Sequence, residues 1–237
     1  MARTLASSPS FERRLYTWAA IVALLVVFTG FARTYYLKLA FGTPPISVLL
    51  HVHGIVMSAW FALFIVQARL VATGRTSVHR RLGVFGALLA VAVLVLGTLV
   101  AITGARLGHA PPGPPPLTFL VVPLGDMLVF ALLVSAALWF RRRSDIHKRL
   151  MLLACVGLLT APIARIPWPP LQQGGIVAFF LITVALVLAC VAWDTIARRR
   201  LHPAFAWGAA LVAVSWPLRL ALSQTSQWQA FASWLTG

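Results

Sequence analysis

Five ionisable side chains lie inside or at the ends of long apolar runs: His51, His53, Asp126, Arg165 and Arg219. A charge at bilayer depth costs about 3 kcal/mol or more, so each is a candidate for function. The runs that carry them enter or leave the membrane in an order that puts all five in one layer near one face. One acid then faces two arginines and two histidines. An anionic headgroup, a carboxylate or a haem propionate would balance that set. A packing reading competes: Asp126 pairs with Arg165 or Arg219, His53 completes the network, and the layer only holds helices together. Pro123, Pro162 and Pro217 precede Asp126, Arg165 and Arg219 by two or three residues. A proline frees a backbone carbonyl and bends a helix, and open backbone at this depth is tolerated only against protein or a wet cavity. The three pairs predict a funnel open to that face.

His51 and His53 cannot serve one metal ion, because residues two apart on a helix point about 200° apart; no metal site is expected there. His53, Trp60 and Gln67 are seven apart and share a face. A second pair, His79 and His147, lies on different runs at a common level, and two histidines so placed are what a b-type haem requires. Each is followed by two cations, Arg80-Arg81 and Lys148-Arg149, so both are read at the membrane interface, where solvation is the plainer explanation. Gly83, Ala90, Gly97 and Gly104 are spaced by seven, with Gly86 beside them, and make a smooth stripe. Such a stripe lets helices approach closely, or it makes room for a flat cofactor against Gly83, Gly86, Gly97 and Trp60. His147 and Arg165, eighteen apart, would share one inward face of an unbroken helix.

The elements that position these groups follow from composition. The chain has 237 residues, is 60% hydrophobic and holds only four acids. About 20 apolar residues span the hydrocarbon, and seven runs qualify: 15–36, 45–67, 82–104, 117–140, 149–166, 175–197 and 203–222. Short connections join them into one all-α domain, residues 1–237. Of the twenty Lys and Arg residues, fifteen fall before the first run or between runs two and three, four and five, and six and seven. The positive-inside rule puts those segments and the N-terminus in the cytoplasm and the C-terminus outside. The five charged candidates then sit in the outer half. The net charge of +16 does not form one patch, so it speaks for lipid headgroups and against nucleic acid.

Residues 106–116, rich in proline, predict an extended outer loop. Trp168 marks a second outer turn closed by Gly174 and Gly175. The segment from Gln224 to Trp234, polar and aromatic by turns, is expected to lie flat on the outer interface. Ser77-Val78-His79-Arg80-Arg81-Leu82 echoes Asp145-Ile146-His147-Lys148-Arg149-Leu150, with Ser77 and Asp145 read as helix caps. Gly30-Phe31-Ala32 loosely fits a signal-cleavage site, but the first run is counted as a retained span.

Several classes are excluded. The only lysines, Lys38 and Lys148, are not mid-span, so no retinal-type Schiff base is available. There is no HExxH, GxSxG or phosphate-binding glycine loop. Cys155 and Cys190 sit alone on different runs, with no CxxCH for covalent haem.

The stretch HVHGIVMSAWFALFIVQARL, followed by VHRRLG and IHKRLMLLA, resembles a family of uncharacterised bacterial multi-spanning membrane proteins. The resemblance covers residues 45–165, and HPAFAWG at 202–208 extends it. It implies a bacterial inner membrane and no particular activity. The histidines at helix ends are distantly similar to dihaem b cytochromes, but paired mid-helix histidines on facing helices are missing. The readings that stand are three. One is a non-catalytic subunit binding lipid, quinone or pigment, with other membrane subunits of an electron-transfer assembly as partners. The others are a haem b protein on His79 and His147, and a carrier of small anions through Arg165 and Arg219.

Overall fold

The computed structural model describes residues 9–111 and 113–237, with side chains from Arg14 onward. Arg3 and Pro112, which entered the charge count and the outer loop, lie outside the described residues, as does the side chain of Arg13. The described residues form helices and their connections, with no strand among them, and seven helical stretches are long and apolar enough to cross a membrane.

The elements are α1 (Pro9–Phe31), which widens into a π-helical turn at Ala32–Tyr36, α2 (Val48–Ala72), α3 (Thr76–Arg106), α4 (Pro116–Phe119), α5 (Val121–Trp139), α6 (Ser144–Gly157), α7 (Thr160–Ile163), α8 (Pro169–Gln173), α9 (Gly175–Arg198), α10 (Pro203–Ser223) and α11 (Ser226–Thr236). Their limits follow local chemistry. Ser47 caps α2, its hydroxyl accepting from the Leu50 N–H at 3.3 Å. Gly74, at φ +77°, makes the left-handed turn into α3. Pro203 opens α10 behind His202, whose Nδ1 accepts from the Ala204 N–H at 3.2 Å.

α2 packs along α3, α5 along α6, and α10 against α5, α6 and α9. α6 is the inner helix, touched by α1, α5, α9 and α10. Leu152, Leu153 and Cys155 on it are wholly buried. The outer faces stay apolar: Val84, Leu88, Val91 and Val95 line one flank of α3, and Leu181 and Leu188 one of α9, all exposed. In water such faces would aggregate; against acyl chains they are the solvated surface. The fold is therefore that of a multi-pass membrane bundle. The end that carries the α2–α3, α5–α6 and α9–α10 connections is called the basic end here.

Several expectations need correction. α3 and α6 begin at Thr76 and Ser144, earlier than expected, so His79 and His147 lie inside helices. Ser77 and Asp145 are not caps; Arg75 and Arg143 hold those positions without a capping side chain. The run at 149–166 is not one helix. It breaks after Gly157, resumes as α7 and ends before Arg165, so helical counting cannot align His147 with Arg165. Arg149 is not a loop cation but a fully buried residue of the inner helix. The segment after α10 is helical, as α11. Its Trp228 donates Nε1–H to the Leu117 carbonyl at 2.9 Å, and Arg106 donates to the Leu235 carbonyl at 3.1 Å.

Candidate functional site

The five polar candidates all lie toward the end opposite the basic one, but they do not share a cavity. Arg219 pairs with Asp126, Nη1 to Oδ1 at 2.5 Å. The same guanidinium donates to the Val122 carbonyl at 3.2 Å and to the Ser215 hydroxyl at 3.1 Å. Gly125 makes the seat: a Cβ there would run into the Arg219 side chain. The adjoining void is about 10 Å³, room for one water molecule at most. This pair is closed, and the packing reading describes it.

His53 and Arg165 belong to a different place. They line a cavity of about 220 Å³ between α1 with its π-helical turn, α2 and α7. The walls are apolar, from Val27, Phe31, Leu50, Met57 and Phe61 among others. α1 comes close enough to α7 that a Cβ on Gly30 would strike the Pro162 backbone. Pro162 lines the cavity, as does Arg165 just past the end of α7. Its Nη1 donates to the Ala161 carbonyl at 2.9 Å, and the guanidinium lies 4.9 Å from the centre of the Phe31 ring. Among the described residues no carboxylate pairs with it. His53 is half-buried, and its Nδ1 is buried with no hydrogen-bond partner. Tyr35 and Tyr36 frame the mouth but are committed, Tyr35 to the His51 carbonyl at 3.2 Å and Tyr36 to the Ser58 hydroxyl at 2.7 Å.

His51 is exposed on the outer side of α2, edge-on to Tyr35 at 5.6 Å, and does not line this cavity. Trp60 does not either: it is buried edge-on against Phe130 at 5.1 Å, a core residue. The stripe on α3 is mostly filled. A Cβ at Gly97 would strike the Met127 sulfur, and one at Gly86 would press on Leu63 at 3.3 Å. Those two glycines serve close packing against α5 and α2. Gly104 has open space, with nothing within 4 Å, and Gly83 meets Gln67 Nε2 at 4.0 Å, an ordinary contact.

At the basic end, His79 and His147 face each other across the starts of α3 and α6, ring centres 6.3 Å apart and planes at 79°. Beside them lies a cluster that sequence reasoning missed. Arg149 makes a two-point contact with Asp194, with Nε to Oδ2 at 3.0 Å and Nη2 to Oδ1 shorter still; both side chains are wholly buried. The Phe205 ring lies 5.5 Å from that guanidinium. Arg149 also donates to the Asp145 carbonyl at 2.6 Å, and Asp145 accepts from His202 Nε2 at 3.3 Å. His202 sits between the α9 and α10 spans. Burial holds its protonation below the ordinary histidine range, with Arg149 adding to the effect and Asp145 opposing it. The scarcity of acids was the available signal. Asp126 and Asp194, the acids deep in apolar runs, each hold an arginine.

Fold and site together describe a multi-pass helical membrane protein whose described residues include an open cavity with an unpaired arginine and two closed ion-pair clusters. No protein-family model, curated protein or solved structure matches the chain. Its function is therefore argued from these residues alone.

Proposed function

We propose that the chain is a non-catalytic membrane protein that binds an amphipathic anion in the cavity of His53 and Arg165. The single observation behind this reading is the pairing of an arginine that no acid among the described residues neutralises with a buried, unpartnered imidazole nitrogen, both on a 220 Å³ apolar cavity. Largely apolar cavities with a few convergent polar groups are the usual form of small-molecule sites. The arginine supplies a charge-assisted hydrogen bond to a carboxylate or phosphate head. The imidazole offers a second hydrogen bond, and Val27, Leu50 and Met57 take the tail. The cation distribution supports a mouth on the outer face of a bacterial inner membrane. A ligand held there would be exchanged with the outer leaflet, as suits an accessory subunit. Transport through Arg165 and Arg219 together loses its basis, since Arg219 is spent on Asp126.

The test is titration of the detergent-solubilised protein with a fluorescent long-chain carboxylate and with its uncharged alcohol analogue. Saturable binding of the carboxylate is expected, weakened about tenfold or more in Arg165→Gln, since a hydrogen bond to a charged group contributes roughly 1.5–3 kcal/mol. Asp126→Asn should leave it within about twofold. Equal binding of the alcohol, or no loss in Arg165→Gln, would overturn the reading. Native mass spectrometry of the purified protein then separates a retained phospholipid from a free fatty acid.

A further inference from the structure

The facing imidazoles at the basic end lie apart from the cavity of His53 and Arg165. His147 Nδ1 lies 2.8 Å from the Ala137 carbonyl. A carbonyl only accepts, so that nitrogen carries the proton and Nε2 keeps its lone pair. A backbone carbonyl holding the far nitrogen is the usual second-shell support of a metal-bound histidine. Opposite it, His79 Nδ1 is buried without a partner, and so is the Oε1 of Gln67 on α2. Gln67 is held in place by its Nε2, which donates to the His79 carbonyl at 3.3 Å. Three helices thus leave unspent polar atoms around one spot. The separation of 6.3 Å between ring centres suits two imidazoles on opposite sides of one metal ion, since each metal–nitrogen bond is about 2 Å and the ring radii make up the rest.

The surroundings choose the kind of metal group. A bare transition-metal ion needs three or four protein ligands. Among the described residues no cluster of three or more His, Cys, Asp or Glu exists that could hold one. Arg80 and Arg81 follow His79 directly and enter no ion pair among the described residues, and they would repel a naked dication. A group that brings its own equatorial donors and carries acidic arms meets both conditions. It needs only two axial nitrogens, and its carboxylates suit the arginines. Gly83, one turn beyond His79, has no side chain of its own on the flank beside Gln67, whose Nε2 a Cβ there would meet at 4.0 Å.

The geometry points to a non-covalent iron porphyrin held between His79 and His147, with Arg80 and Arg81 toward its carboxylates.

The experiment is reconstitution of the full-length, detergent-solubilised protein with hemin, read by absorbance in the oxidised and dithionite-reduced states. The expected result is one iron per chain and a low-spin, bis-imidazole spectrum. His79→Gly and His147→Gly should each abolish that spectrum, and added imidazole should restore it in both. His109→Ala, on a distant loop, should leave it unchanged. The imidazole rescue also shows that the variants are folded. A wild-type protein that takes up no hemin, an unchanged spectrum in both glycine variants, or variants that imidazole does not rescue would overturn the proposal. Stoichiometric zinc in place of iron in the protein as purified would do so too.

Discussion

The basic end and the opposite end of the bundle treat buried charge differently. At the basic end Arg149 and Asp194 are both wholly enclosed and satisfy each other at two points, while Asp145 and His202 extend the network. At the opposite end Asp126 and Arg219 form a comparable pair, yet the neighbouring Arg165 lies at a cavity mouth without a counter-charge. A cation on an apolar cavity that meets no acid among the described residues is not explained by ion pairing. The contrast separates charges that stabilise the bundle from one that is kept for something else.

Mutation can break or sharpen that contrast. The largest effect is expected from Asp194→Ala, which strands a wholly buried guanidinium. A loss of about 3–5 kcal/mol is typical of a broken buried pair, read as a fall in the thermal unfolding midpoint in detergent. The double change Arg149→Met with Asp194→Leu should recover most of it, because apolar residues of similar size often replace a buried pair at little cost. If the single and double variants lose equally, the network acts through something other than its charges. Asp126→Ala should cost less, because both partners there keep slight exposure, 8% and 15% of the side chains.

Gly30→Ala should lose about 1–3 kcal/mol, since its new methyl meets the Pro162 backbone, which cannot move aside as a side chain can. It should also reshape the cavity floor, weakening ligand binding along with stability. Arg165→Ala is the opposite case. Stability should change by no more than about 0.5 kcal/mol, as for exposed surface sites, while anion binding falls. A large stability loss there would make Arg165 a packing residue and erase the distinction between the two ends.

The smallest effect concerns pH. His202 in the neutral form accepts from Ala204 through Nδ1 and donates to Asp145 through Nε2. Its folded value lies below the unfolded value of about 6.5, so the unfolded chain binds more protons. The contribution is full above that unfolded value and is lost as pH falls through the folded one. Thermal midpoints measured from pH 8 down to pH 5 should decline, and His202→Asn, which keeps a capping side chain, should flatten the slope.

What could be read in the residues was the seven-helix membrane architecture, because apolar length and the placing of cations are properties of consecutive residues. Asp126 and Arg219 were recognisable as costly, and His53 and Arg165 as neighbours in depth. Their partners were not. Depth along a helix says nothing about rotation, so a single layer of five groups became one closed pair, one open cavity and an exposed His51. Arg149 was hidden among the loop cations because four arginines and a lysine within nine residues look alike until α6 is seen at the centre of the bundle. The break after Gly157 ends the helix before Arg165, and the close approach of Gly30 to Pro162 is a contact between helices distant in sequence. Composition and periodicity determined where the chain crosses the membrane. Only tertiary packing decided which charges meet, because pairing depends on the azimuth of each helix against its neighbours, and no local pattern records that.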